Sequence, residues 1–136
     1  MRYVLDASAG LYLASSARGF GGVSGHEFHA PGLFWSEGVS SIHQRLWRAE
    51  ISRQLADRAL KAILDAPVER HSDSELYGRA WQIAEQAGWA KTYDAEYVAL
   101  SQLLDIPLVT RDDRLRRGAG RLARVIPPSE IGASQP

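Results

Sequence analysis

Four carboxylates stand out by type and position: Asp6, Glu37, Asp94 and Asp112. Asp6 directly follows the apolar run Tyr3-Val4-Leu5, and Asp112 comes just after Leu108-Val109-Thr110. Asp94 opens an apolar helical pattern, and Glu37 sits amid Phe34, Trp35 and Val39. Taken one at a time, each aspartate reads as a helix N-cap, and Glu37 as a surface residue of its helix. Taken together they read differently. Carboxylates that converge repel one another unless a cation lies among them. Hard, oxygen-preferring ions such as Mg²⁺ or Mn²⁺ are the natural occupants of such a set. One or two of them would activate a water and stabilise charge developing on a phosphate, without any covalent nucleophile. That chemistry suits a chain with no cysteine and no serine–histidine signature.

The elements that must position these acids follow from the apolar pattern. Tyr3-Val4-Leu5 reads as a strand that turns at Asp6 into a helix, and residues 15–27 as a glycine- and serine-rich loop. Pro31 is expected to open a helix carrying Leu33, Phe34, Ile42 and Leu46, with Glu37 about one turn in. A second helix spans Ile51 to Leu64, a short strand Pro67 to His71, and a third helix runs from Ser74 to a stop at Gly88. Thr92-Tyr93-Asp94 introduces a further helix, followed by strands over Ile106–Thr110 and Ala123–Ile126. Strands that are apolar throughout and alternate with helices imply a parallel sheet covered on both faces, an α/β protein. In open parallel sheets chemistry gathers outside the carboxyl ends of the strands, which is where Asp6 and Asp112 fall.

Length and composition bound the rest. The 136 residues suit one domain, expected over residues 1–131, with a frayed tail from 132 to 136. The N-terminal apolar run is too short for a signal peptide or a membrane span, so the reading is of a cytoplasmic protein. The 16 basic residues balance 16 acidic ones, which argues against an indiscriminate nucleic-acid coat protein. Yet Arg111, Arg114, Arg116, Arg117, Arg121 and Arg124 cluster late in the chain. Arginine forks onto phosphate and stacks on bases, so Arg111, Arg114 and Arg116 are candidate RNA contacts, as is Lys91 ahead of the Asp94 helix. A solvated surface is the plain alternative for all of them.

Three ordered segments carry a family resemblance: YVLDASA, HAPGLFWSEGVSSI and KTYDAEYVALSQLLDIPLVTRDDRL, followed by the closing strand. Together they resemble a PIN domain of the VapC toxin type over nearly the whole chain. The resemblance implies a three-layer α/β/α sandwich with a central, mostly parallel sheet. It implies that Asp6, Glu37, Asp94 and Asp112 form a metal-binding catalytic cluster, supported by the hydroxyls of Ser8 and Thr110. It also implies a Mg²⁺- or Mn²⁺-dependent endoribonuclease that cuts single strands, often in tRNA or rRNA. A homodimer and a cognate antitoxin complete the expectation. Asp113 is a rival for the place of Asp112, though the register from Val109-Thr110 favours Asp112. The segment between the first strand and Glu37 looks shortened, and Ser40 stands where an Asn often follows the helix glutamate.

Other residues carry weaker signals. His26, His29, His43 and His71 show no zinc spacing, and His29, just before the Glu37 helix, is the one best placed to touch RNA. The GFGGVSG loop lacks the Lys-Ser/Thr of a P-loop. Trp35, Trp47, Trp81 and Trp89 read as core or dimer contacts. A PIN-like module that binds RNA or a partner without cutting would be expected to have lost acids, and all four are present. An aspartate-nucleophile phosphatase usually wants an acid two residues after the first, where this chain has Ser8.

Overall fold

The computed structural model describes residues 1–132 and contains a five-stranded parallel sheet in the order β3-β2-β1-β4-β5. The strands are β1 (Arg2–Leu5), β2 (Glu27–Pro31), β3 (Val68–His71), β4 (Leu108–Val109) and β5 (Val125–Ile126). The helices are α1 (Ala7–Ser15), α2 (Leu33–Trp47), α3 (Arg53–Leu64), α4 (Ser74–Ala87), α5 (Tyr93–Leu104) and α6 (Asp113–Ala119). Right-handed crossovers put the helices before β3 on one face and those after it on the other. Accordingly α1, α2 and α3 pack on one another, while α4 packs on α5 and α5 lies on β1 and β2. The sandwich therefore has the three expected layers.

The central strands are buried on both sides, which is why Tyr3, Val4, Leu5, Leu108 and Val109 run apolar without alternation. Helix α5 is the innermost helix, with every residue from Ala95 to Ser101 buried. Helix α4 is framed by Asp73, whose side chain accepts from Leu76 N–H at 2.9 Å, and by Gly88 in the left-handed conformation at φ 71°.

Two elements depart from the expectation. Glu27–Pro31 forms strand β2, so Pro31 closes a strand and the helix begins at Leu33. Glu-Phe-His-Ala-Pro lacks β-branched residues, and burial of Phe28 through Pro31 on both faces removes any alternation. Arg114, Arg116 and Arg117 of the arginine-rich run fall in α6, a short helix capped by Asp112 with no counterpart among the expected elements. Within 15–27 a 3₁₀ turn forms at Gly19–Val23. Gly132 donates its N–H to the Tyr3 hydroxyl at 2.7 Å, so the chain is tied down at the start of the expected tail. Residues 133–136 lie outside the described residues.

Candidate active site

The strand order places the site. From β1 the chain moves to β2 on one side, while β4 returns on the other, so a crevice opens between the carboxyl ends of β1 and β4. Leu5 and Val109 are paired in register, so the next residues, Asp6 and Thr110, stand side by side. Asp6 is only 5% exposed. Its Oδ1 accepts from Ala9 N–H at 2.9 Å and from Ser8 Oγ at 2.7 Å, and its Oδ2 accepts from the Thr110 hydroxyl. Ser8 Oγ and Thr110 Oγ1 lie 3.3 Å apart, and these two hydroxyls also accept from Arg111 N–H and Asp112 N–H. The polar bracket fixes one carboxylate against the next loop.

Helix ends and a close helix contact bring in the other acids. Asp112 caps α6, its Oδ1 accepting from Arg114 N–H at 2.9 Å and Leu115 N–H at 3.3 Å. The second residue of α5 is Asp94, one turn ahead of Tyr97 on the same helix face. Glu37 reaches the cleft because α1 and α2 approach closely. A methyl group on Gly10 would sit 2.4 Å from the Phe34 ring. The Tyr97 hydroxyl then donates to Glu37 Oε1 at 2.6 Å. All four acids line one cleft of about 540 Å³, together with Ser8, Tyr12, Ser41, Arg45, Tyr97 and Arg111.

Burial pushes the Asp6 carboxyl above its ordinary value, against the hydrogen bonds from Thr110, Ser8 and Ala9, and the Asp94 charge raises it further. Glu37 is raised chiefly by burial and then by Asp94 and Asp6, while the Tyr97 hydroxyl opposes the shift. Asp94 is raised by burial and then by Asp112. Asp94 thus makes both Asp6 and Glu37 harder to ionise, which marks a site short of positive charge. Even so, no three of the four carboxylates bring oxygen atoms within 4.8 Å of one another. Mg²⁺ keeps several waters and takes only one or two carboxylates directly, so this wider spacing suits a hydrated ion rather than a protein cage.

The remaining expected residues divide. Arg111 lines the cleft with its guanidinium 4.7 Å from the centre of the Tyr12 ring. Lys91 and Arg114 line a second cleft of about 620 Å³, which shares Glu37, Asp94 and Asp112 with the first. The acids thus lie where two clefts meet. Arg116 lines neither and instead pairs with Asp113 at 2.7 Å. Ser41, rather than Ser40, faces the main cleft. Trp47 is 80% exposed and Trp81 is exposed as well, so neither belongs to the core.

Sequence reasoning missed Tyr97, Arg45 and the buried Glu96. Tyr97 follows Asp94 by three positions, and its apolar neighbours on the helix mask it as core. Arg45 follows Ser41 by four and Glu37 by eight, a helical stripe that points it to the same cleft. Glu96 sits beside Tyr97 with its carboxyl raised by burial and by the Glu37 charge.

A PIN-domain family model matches residues 3–121. The chain belongs to the PIN-domain family. It is 32% identical over 126 residues to Ribonuclease VapC12 of Mycobacterium tuberculosis, covering 90% of this chain and 95% of that one. Within the family it is therefore of the VapC type. Among solved structures it resembles PAE2754 from Pyrobaculum aerophilum, with a TM-score of 0.74 at 21% identity over 98% of this chain and all of that one. It also resembles a chain in a toxin–antitoxin complex from Klebsiella pneumoniae, with a TM-score of 0.61 at 16% identity over 93% of this chain and 97% of that one. Among the described residues no helix is long and apolar enough to cross a membrane.

Proposed function

We propose that this protein is a VapC-type endoribonuclease toxin whose cutting depends on Mg²⁺ or Mn²⁺. The observation that carries the reading is the meeting of Asp6, Glu37, Asp94 and Asp112 in one cleft at the β1/β4 crevice. Asp94 meets no hydrogen-bond donor among the described residues, and the raising of Asp6, Glu37 and Asp94 by burial and neighbouring charge fits a group that awaits a cation. These four side chains would hold the ion. When bound, it supplies water activation and charge stabilisation at the scissile phosphate.

The chain's own residues do the positioning. Ser8 and Thr110 hold Asp6 by its two oxygens, and Tyr97 holds Glu37, so neither acid swings out of the cleft. The α6 N-terminus holds Asp112 through one oxygen and leaves the other for the cleft. Arg45 and Arg111 in one cleft, and Lys91 and Arg114 in the other, are placed to meet phosphates on either side of the cut. A single strand laid across the acids would run from one pair to the other, with tRNA and rRNA as the substrate classes to test.

We assign the protein a cognate antitoxin, a homodimeric state and a cytoplasmic place of action. Supporting the partners are the likeness to a chain of a toxin–antitoxin complex and the exposed Trp47 and Trp81. The deciding experiment is cleavage of total cellular RNA by partner-free protein in Mg²⁺, Mn²⁺ or EDTA, beside Asp94→Asn. Discrete fragments that need the ion and disappear in the variant are expected. Folded protein that leaves RNA intact with either ion would overturn the reading.

A further inference from the structure

A second set of ligand-type side chains lies on β2 and β3, away from the four acids. These strands are parallel, with His29 beside Glu69 and Pro31 beside His71. Alternate residues of a strand share a face, so Glu27 and His29 on one strand and Glu69 and His71 on the other face the same way. His29 is 2% exposed. Its Nε2 lies 3.0 Å from Glu27 Oε1, while its Nδ1 lies 2.9 Å from His71 Nε2 and 3.3 Å from Glu69 Oε2.

A neutral imidazole carries one N–H. When His29 gives it to Glu27, the Nδ1 lone pair points at Glu69 and His71, and three electron-pair donors converge. Ligand atoms around a tetrahedral zinc, each about 2.0–2.1 Å from the metal, are roughly 3.3 Å apart. The spacings of 2.9 and 3.3 Å lie close to that, and all three atoms fall within 4.8 Å of one another. Glu27 supplies the carboxylate that commonly holds the outer nitrogen of a metal-ligating histidine. Two imidazoles and one carboxylate suit Zn²⁺, Co²⁺ or Ni²⁺ and disfavour Mg²⁺. The Glu69 side chain is 62% exposed, which gives an ion its entry path and leaves a fourth position to water.

We propose that His29, Glu69 and His71 bind a divalent transition ion of the zinc class, with Glu27 orienting His29. The ion clips β3, a four-residue edge strand with an alternating polar face, to β2. Because the site exists only in the folded chain, binding there adds to stability.

The test uses full-length protein carrying Asp94→Asn, stripped with chelator and then titrated with Co²⁺ in excess Mg²⁺. One equivalent of Co²⁺ should bind with a visible absorption band, be displaced by Zn²⁺ and raise the melting temperature. His71→Ala should abolish the band without changing the circular dichroism, and Glu27→Gln should weaken binding about 10–100-fold. In wild-type protein, Zn²⁺ should move the imidazole nitrogen resonances of His29 and His71, which keeps the test decisive if a variant misfolds. An unchanged band in folded His71→Ala overturns the proposal, as do wild-type His29 and His71 resonances that Zn²⁺ leaves unmoved.

Discussion

The acidic cleft and the histidine cluster are built on opposite plans. In the cleft four carboxylates arrive from two strand-end loops and two helices and stand wide apart, and burial with neighbouring charge makes Asp6, Glu37 and Asp94 harder to ionise. In the cluster two imidazoles and a carboxylate come from adjacent strands in fixed register, with His71 Nε2 and Glu69 Oε2 at 2.9 and 3.3 Å from His29 Nδ1. Wide, hard and partly wet suits a hydrated ion that must also meet a phosphate. Tight, mixed and set within a sheet suits a borderline ion whose work is done by staying put. A parallel sheet supports both, because its strand ends supply loops for reactive groups while its strand faces supply fixed spacings.

The largest difference should be in catalysis. Asp94→Asn or Asp6→Ala should lower RNA cleavage by about 1,000-fold or more, since acids acting as a unit fail as a unit. His71→Ala should leave the rate within about twofold under the same assay, because no step needs the cluster. A large loss in both would merge the two regions into one functional unit and break the comparison.

Next comes the support around the acids. Tyr97→Phe removes the 2.6 Å hydrogen bond to Glu37 and leaves the ring in place. Partners of this kind are typically worth about 10–100-fold in metal affinity or activity. The loss should appear as a higher Mg²⁺ requirement, read by titrating the ion at fixed RNA. Arg45→Ala should act more mildly. If Arg45 meets a phosphate, the variant's log affinity for single-stranded RNA should fall less steeply with log salt, by about 0.7 in slope. An unchanged slope would remove Arg45 from the RNA path.

How much of this was legible differs between the regions for a physical reason. Asp6 and Asp112 were legible because each ends an apolar strand, and the topological rule for parallel sheets says where such residues go. Glu37 and Asp94 were legible as acids on apolar helices, and their convergence with the other two carboxylates is what the fold supplies. Tyr97 was not, because it is 60 positions from Glu37 and its apolar neighbours explain it as core. The His29–His71 contact joins residues 42 apart across strands that sequence periodicity only half revealed. Strand β2 carries no alternation to mark it, and with β2 hidden the pairing to β3 could not be drawn. Spacing along the chain finds metal sites on single turns or helices and is blind to sites made by register.

The smallest expected effect is on stability, and it separates the two regions by sign. Asp94 titrates above the ordinary 3.8 because burial and then the Asp112 charge oppose ionisation. A raised folded value means that the group's favourable contribution is present below about pH 3.8 and is lost as pH rises through that folded value. At neutral pH without metal the ionised carboxylate therefore weighs against the fold. Asp94→Asn should raise the melting temperature, modestly because the group is partly solvated. The gain should shrink as pH falls toward 3.8. Adding Mg²⁺ should raise the melting temperature of the wild type more than that of the variant, because the ion relieves the same repulsion. His71→Ala should go the other way, leaving metal-free stability nearly unchanged and losing the rise that Zn²⁺ gives the wild type. Scanning calorimetry of the three proteins in EDTA, Mg²⁺ and Zn²⁺ distinguishes a site that holds its acids against their charge from one that holds its strands together.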